Sequence, residues 1–158
     1  MNDNTDKEKQ LFIVEYLSQF TDVKFLGFEN SPIIVPQEIW SYVATMSTKP
    51  KLKLPHSKLL EVNNHWWKLA NEYSLLSSDK LLISIGVKNL GSLPWIIIEI
   101  KKDSNIIQTL SLIKNEPEFV CISLNSDSFI GVTTEEHGIW IFGSNVEKDS
   151  NGKINFFN

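Results

Sequence analysis

Glu135, Glu136 and His137 form the densest group of titratable side chains beside an expected strand pair. Two carboxylates and an imidazole could hold a metal ion, act as a general acid and base, or bind a basic group of a partner. Neighbours on an extended strand point to opposite faces, so the three converge only if a tight turn bends the chain. Gly138 suits a left-handed position in such a turn. We interpret the group as a hairpin loop first, a partner contact second and a chemical site third.

Glu61 and His65 are the second candidate pair. They lie one helical turn apart, at a spacing where a carboxylate can orient an imidazole for base catalysis. Lys68 and Glu72 continue the same spacing, which is typical of an exposed charge ladder. No phosphate loop, nucleophile elbow or His-Glu-x-x-His motif is present. With one cysteine and three histidines, we expect no catalytic residue, no metal site and no cofactor.

The segment Asp149-Ser-Asn-Gly152 resembles half of a calcium-binding loop. Such a loop needs a glutamate at its twelfth position, and counting from Glu147 that position is Asn158. An Asn-Gly pair between two apolar segments is also a strong hairpin signal. The segment therefore predicts a turn in a small C-terminal hairpin.

The composition fits one globular domain, residues 1–158, with 42% hydrophobic and 22% charged residues. All 15 basic residues are lysine and the formal net charge is -4. Without arginine the chain lacks the planar fork that binds phosphate at two points, and sequence-specific readout of nucleic acid relies on the same fork. We therefore expect no nucleic-acid partner.

Charge is distributed unevenly along the chain. Residues 115–158 carry seven acids against two lysines, a net charge of -5, whereas residues 51–114 have a net charge of +4. An acidic surface can steer a basic partner and raise its association rate. An ordinary solvated surface is the competing interpretation.

Three features indicate a cytoplasmic protein without a membrane span. Apolar runs such as residues 95–98 are far too short to cross a bilayer. The first nine residues carry acids and no apolar signal segment. Cys121 is the one cysteine, so it forms no internal disulfide, and its apolar neighbours predict a buried thiol.

Hydrophobic periodicity predicts an α+β fold, with N-terminal helices packed on a mostly antiparallel sheet that has one inserted helix. The predicted helices cover residues 5–20, 36–46, 57–76 and 103–114. The predicted strands cover residues 23–28, 80–87, 94–101, 118–124, 128–133 and 138–142, followed by the hairpin of residues 146–157. Residues 48–55, with two prolines and three lysines, are expected to form a loop.

Two of the five tryptophans, Trp66 and Trp67, are consecutive in the predicted helix 57–76. They lie about 100° apart around the helix axis, so both are buried only if the helix is covered broadly. Trp66 lies on the apolar stripe and is assigned to the core. We expect Trp67 to be the exposed member of the pair, available to a partner, unless Leu60 extends the apolar stripe to include it.

The stretch Ile33-Ile-Val-Pro-Gln-Glu-Ile-Trp40 resembles the segment near the start of SUKH-type proteins, in which an apolar residue and a proline precede an acidic and an aromatic residue. Met46–Lys49 stands where that family has a turn rich in asparagine and glycine. SUKH-type proteins are small α+β domains, many of them immunity proteins of bacterial polymorphic toxin systems. The resemblance implies such a fold and a toxin partner, and it assigns no site residues.

Together these features favour a non-catalytic cytoplasmic binding protein whose acidic surface contacts a protein partner, with a basic toxin domain as the class implied by the resemblance. The expected partner-binding residues are Asp127, Glu135, Glu136, Trp140 and Trp67. The alternative is a small-molecule-sensing or regulatory domain with a pocket between the Trp66-bearing helix and the sheet. An enzyme that uses His65 or His137 is the third hypothesis.

Overall fold

A computed structural model describes residues 3–157, and within them four α-helices and eight β-strands form an α+β fold. The helices are α1 (Asp3–Leu17), α2 (Pro36–Ala44), α3 (Leu59–Glu72) and α4 (Ile106–Thr109). The strands are β1 (Val23–Glu29), β2 (Leu52–Leu54), β3 (Lys80–Ile85), β4 (Trp95–Ile100), β5 (Phe119–Ile122), β6 (Ser128–Glu135), β7 (Gly138–Lys148) and β8 (Ile154–Phe157). The predicted fold class is confirmed.

All of these strands belong to one antiparallel sheet, in the order β1-β4-β3-β5-β6-β7-β2. Strand β7 is the longest, and its outer edge is shared between two short strands. Strand β2 pairs with its first half, and β8 pairs with its last four residues. Strands β5, β6 and β7 follow one another as hairpins, so the chain reverses direction at each end of the sheet.

Both faces of the sheet are covered, as the alternation of side chains along β5 shows. Phe119 and Cys121 pack on the side of α1, α3 and α4, whereas Val120 and Ile122 pack on the side of α2. All four side chains are fully buried. Strands covered on both faces read as continuous apolar runs, which is the pattern of β3, β4 and β5. The side of the sheet that packs against α2 is called the α2 face below.

Helix α2 begins where the sequence predicts. Pro36 occupies its first turn, where a proline nitrogen has no hydrogen bond to lose. The Glu38 Oε1 atom accepts a hydrogen bond from the Val35 backbone N–H at 2.9 Å. Ile39 and Val43, one turn apart, are buried against the sheet. This packing fixes the side chains of the next turn over the α2 face.

A buried polar network joins α3 to the short helix α4. The Asn63 side chain donates to the Ser104 carbonyl at 3.2 Å and accepts from the Ile107 backbone N–H at 3.2 Å. The Trp67 indole N–H donates to the same Ser104 carbonyl at 2.8 Å. The bond to Asn63 satisfies the Ile107 backbone N–H in the first turn of α4, where a helix has no internal partner for its N–H groups.

The segment 48–55 differs from its prediction as a loop, because Leu52–Leu54 forms strand β2. The two leucines alternate with an exposed lysine, which is the period of an edge strand. Proline at each side limits the strand to three residues. The predicted helix 103–114 is also shorter than expected, since only the single turn Ile106–Thr109 is helical.

The C-terminal hairpin forms as predicted. Asp149 Oδ1 accepts hydrogen bonds from the backbone N–H groups of Lys153 at 3.0 Å and Asn151 at 2.9 Å. These bonds hold the pKa of Asp149 below its ordinary value. Gly152 has a φ of 81°, a conformation that a side chain disfavours. The half-loop that resembled a calcium site is therefore a turn between β7 and β8.

Candidate functional site

A row of residues crosses five strands of the sheet beside the β6–β7 turn. The Gly86 backbone N–H donates to the Glu118 carbonyl at 2.9 Å, and the register of β5 with β6 places Glu118 opposite Thr133. Thr133 pairs with Trp140, and Trp140 pairs with Lys53 of β2. Strands lie about 4.8 Å apart, so the row is about 19 Å long. It places a carboxyl, a hydroxyl and an indole side by side.

A cleft of about 460 Å³ lies between this row and α2. We call it the α2 cleft. Glu118, Thr133, Glu135 and Trp140 line it from the sheet, and Trp40 lines it from α2. The rest of its wall is formed by residues 43–46 and 48, at the end of α2 and in the loop that follows. Met46 is fully exposed at the cleft, which is unusual for a side chain of its size and apolarity.

Glu118 is a half-buried carboxyl in this cleft. Burial raises the pKa of Glu118, the nearby charge of Glu135 raises it further, and the hydrogen bond from the Thr134 backbone N–H lowers it. That bond reaches Oε1 at 2.9 Å. Within residues 3–157, Oε2 has no hydrogen-bond or ion-pair partner. The carboxyl group is therefore held in place through one oxygen, and the other oxygen is unpaired among the described residues.

Trp40 is fixed above Glu118 by a hydrogen bond and by close packing. Its indole N–H donates to the Ser84 hydroxyl at 2.8 Å. A Cβ atom on Gly86 would lie 2.7 Å from the Trp40 ring and 2.9 Å from Glu118 Cγ. Only a glycine at this position allows the indole and the carboxyl side chain to approach the strand so closely.

Trp140 is half-buried and already carries a cation on its ring. Lys53 Nζ lies 4.4 Å from the ring centroid. An ammonium group at this distance is attracted by the negative face of the indole, an interaction of about 0.5–1 kcal/mol at an exposed site. Lys53 does not line the α2 cleft, where the indole contributes surface beside Thr133.

Thr133 contributes a buried hydroxyl without a partner. The side chain is 5% exposed, and its Oγ1 atom makes no hydrogen bond to the described residues. A buried hydroxyl without a partner costs about 1–3 kcal/mol. Thr133 lines the cleft, so this unpaired hydroxyl lies buried beside it.

The β6–β7 turn is a two-residue loop, because Glu135 pairs with Gly138. Glu136 and His137 form the loop and are 87% and 88% exposed at their side chains, with 3.9 Å between His137 Nε2 and Glu136 Oε1. The Glu135 carbonyl is hydrogen-bonded to His56 Nε2 at 2.7 Å. The turn thus presents Glu136 to solvent and Glu135 to the cleft, as the interpretation of a polar hairpin loop requires.

The expected left-handed conformation of Gly138 is wrong, since among the described glycines only Gly27 and Gly152 have positive φ. Gly138 is required for a different reason. A Cβ atom there would lie 2.5 Å from the Leu54 carbonyl oxygen, where β2 approaches β7. The glycine therefore permits close strand packing instead of a special turn.

Glu135 also lines a second, shallower groove on the other side of the turn. This groove has a volume of about 660 Å³ and includes His56, Lys114, Glu116 and Glu136. Its charges are mixed, with three carboxylates against one lysine and one imidazole. We call the surface formed by both grooves and the turn the hairpin end.

Of the five predicted partner-binding residues, the structure brings together Glu135, Glu136 and Trp140. Asp127 lies in the β5–β6 turn at the opposite end of the eight-residue strand β6, about 25 Å away along the strand. Its carboxylate accepts a hydrogen bond from the Ser123 hydroxyl at 2.6 Å. Asp127 therefore stabilises its own turn and is not part of the hairpin end.

Trp67 is not exposed, so the prediction that it is the surface member of the tryptophan pair is wrong. It is 8% exposed, and its indole N–H is bound to the Ser104 carbonyl. The α3–α4 contact covers the helix more broadly than its apolar stripe indicates. Trp66 is fully buried, as expected, and the two rings pack edge to face with centroids 5.2 Å apart.

The other candidate chemistry is not assembled in the part of the chain that the structure describes. Glu61 lies 3.9 Å from Lys58 and makes no hydrogen bond or ion pair with His65. Residues 3–157 contain no group of three or more histidine, cysteine, aspartate or glutamate side chains placed to hold a metal ion. Burial raises the pKa of the Cys121 thiol well above its ordinary value.

No helix within the described residues is both long enough and apolar enough to cross a membrane. Comparisons with protein-family models, with curated proteins and with solved structures found no match.

Sequence reasoning missed Glu118, Thr133 and Trp40 as site residues. Each lies within or beside an apolar run and reads as part of a strand or of the core face of a helix. One signal was present for Glu118, an acid between Pro117 and the apolar strand 119–122. Its position at the start of a strand places it at a sheet end, where side chains reach clefts.

Proposed function

We propose that this protein is a non-catalytic binding protein that contacts a basic protein partner through the hairpin end. The observation that carries the proposal is the position of Glu135. Its side chain lines the α2 cleft and the second groove, so one carboxylate joins two concave surfaces. Glu118 and Glu136 extend the negative charge in both directions.

The exposure of these groups supports a division of roles. Glu136 is almost fully exposed, and a charge of this kind mainly raises the association rate and selects for basic partners. Trp140 and Glu118 are partly buried within a concave surface. Aromatic anchors in such surfaces contribute most of the affinity of protein interfaces.

The partner class we favour is a bacterial toxin domain in the cytoplasm. The support for it is the resemblance of residues 33–40 to SUKH-type immunity proteins together with the α+β order of elements. An immunity protein must bind its toxin tightly in the cell that makes both. A negatively charged concave surface suits a toxin whose active site is basic.

The first test is reversal of charge at the turn. The variant Glu135→Lys with Glu136→Lys should weaken partner binding by about tenfold or more, because like charges at an interface cost free energy and slow association. The partner is first identified as the protein that immobilised wild type retains from a lysate of the source organism. Its affinity is then measured by titration calorimetry.

The matched control is Glu61→Lys with Glu72→Lys, which makes the same change of charge on exposed positions of α3, across the sheet from the α2 cleft. We expect the control to bind like wild type and both variants to keep the wild-type circular dichroism. Equal affinity of the turn variant and the control would exclude the hairpin end as the binding surface.

A small-molecule-sensing function is the second candidate, and the α2 cleft is the feature that favours it. The predicted location of the pocket, between α3 and the sheet, is filled by fully buried side chains such as Trp66 and Phe119. The α2 cleft is open and is lined by Thr133, whose buried hydroxyl has no partner among the described residues. A neutral metabolite that stabilises wild type but not Thr133→Val would favour this function over a protein partner.

A further inference from the structure

The α2 cleft has the chemistry of a receptor for one cationic side chain. We propose that it takes a lysine or arginine side chain of the partner protein, with the aliphatic part against the indoles of Trp40 and Trp140 and the charged group at Glu118 and Glu135. The inference rests on the proposed function in one respect, namely that the cation belongs to a protein.

The carboxyl groups supply the charge selectivity. Glu118 and Glu135 both line the cleft, and Glu118 keeps Oε2 without a partner among the described residues. No lysine lines the cleft, so neither carboxylate is neutralised there. An ammonium or guanidinium group would provide the opposite charge in a partly desolvated position, where ion pairs are stronger than in water.

The indoles supply the surface for the aliphatic part. Trp40 is locked by its hydrogen bond to Ser84, so its ring does not need to be ordered when a ligand binds. A rigid receptor loses less entropy on binding. Lys53 shows the same chemistry within the chain, since its ammonium lies over the Trp140 ring at 4.4 Å.

Thr133 adds an unpaired polar group beside the carboxyl groups of the cleft. Its hydroxyl is buried on the same cross-strand row as Glu118 and Trp140 and has no partner in residues 3–157. A hydroxyl accepts a hydrogen bond from any of the N–H donors of lysine or arginine. The cleft thus offers two carboxylate groups with an unpaired hydroxyl buried beside them, and the nearest cation, Lys53, lies over the Trp140 ring and does not line the cleft.

The experiment is a titration of the full-length ¹⁵N-labelled protein, observed at the five indole N–H signals. The probes are N-acetyl-lysine amide and N-acetyl-arginine amide, and N-acetyl-norleucine amide is the neutral control of similar shape. We expect the cationic probes to shift the signals of Trp40 and Trp140. The signals of Trp66, Trp67 and Trp95, which are buried elsewhere, should stay in place.

The variants assign the effect to the cleft. Glu118→Gln keeps an oxygen for the Thr134 N–H and should weaken binding of the cationic probes about tenfold, the effect of losing a partly buried ionic partner. Glu147→Gln removes a carboxylate at an exposed position of β7 and should change nothing. Glu135→Gln is the second cleft variant if Glu118→Gln does not fold.

Three results would overturn the inference. The first is an equal response to the norleucine probe. The second is no response of Trp40 and Trp140 to either cation up to about 50 mM, the range in which a single side chain still binds. The third is tenfold tighter binding of free putrescine than of capped lysine, which would assign the cleft to a small cation. If the probes do not bind the cleft but the charge-reversal variant loses partner binding, the inference fails and the proposed function stands. If the probes bind the cleft but the charge-reversal variant binds the partner like wild type, the proposed function fails and the cleft remains a cation site.

Discussion

At the scale of single residues, Glu118 shows how the fold changes the chemistry of a side chain. Burial disfavours the ionised carboxylate and raises the pKa of Glu118, and the charge of Glu135 adds to this effect. The folded state therefore binds the Glu118 proton more tightly than the unfolded state does. The stabilisation from this proton is complete below the ordinary pKa of 4.5 and is lost as the pH rises through the folded-state pKa.

Because the pKa of Glu118 is raised in the folded state, Glu118→Gln should be more stable than wild type at pH 7. The amide of the variant is neutral at every pH and keeps the acceptor for the Thr134 N–H. The difference should shrink as the pH falls and vanish near pH 4, where wild type is protonated too. Urea unfolding at several pH values measures it. A gap between the two proteins that is the same at pH 4 and pH 7 would show that ionisation of Glu118 is not its cause.

At the scale of elements, the contact of α3 with α4 depends on one buried amide. Asn63→Ala removes the acceptor for the Ile107 N–H and one of the three donors to the Ser104 carbonyl, which also accepts from the Trp67 indole and the Ile106 backbone N–H. A buried donor left without a partner, together with the lost bonds, should cost about 2–4 kcal/mol of unfolding free energy. Denaturant unfolding monitored by tryptophan fluorescence measures this loss.

The neighbouring Asn64 provides the control, since it is exposed on the same helix. Asn64→Ala should change the unfolding free energy by less than about 0.5 kcal/mol. If the two alanine variants lose the same stability, the buried network does not hold α4 in place.

At the scale of the whole molecule, the sequence predicts the fold better than the site. Periods of two in the strands and of three to four in the helices follow from which faces are buried, so the α+β class can be read from local patterns. Local patterns do not predict strand β2, because its three residues become a strand only by pairing with β7. Helix α4 is shorter than its pattern for a similar reason, since contacts with α3 determine where it forms.

The site could be predicted only in part, because it is assembled from segments that are distant in the chain. Glu135, Glu136 and Trp140 lie within one hairpin, so local sequence is enough to group them as candidate partner contacts. Trp40 and Glu118 meet only because both side chains pack over Gly86, which follows β3 and lies opposite Glu118. Asp127 was grouped with the acidic residues by charge alone, whereas strand length places it at the other end of the sheet.

If a partner covers the hairpin end, hydrogen exchange of the complex should show where it binds. We expect slower exchange on binding in peptides that cover residues 43–48 and 133–140, with little change in α3 and in the edge strand β1. Protection of α3 or β1, with residues 133–140 exchanging as in the free protein, would contradict the proposed binding surface.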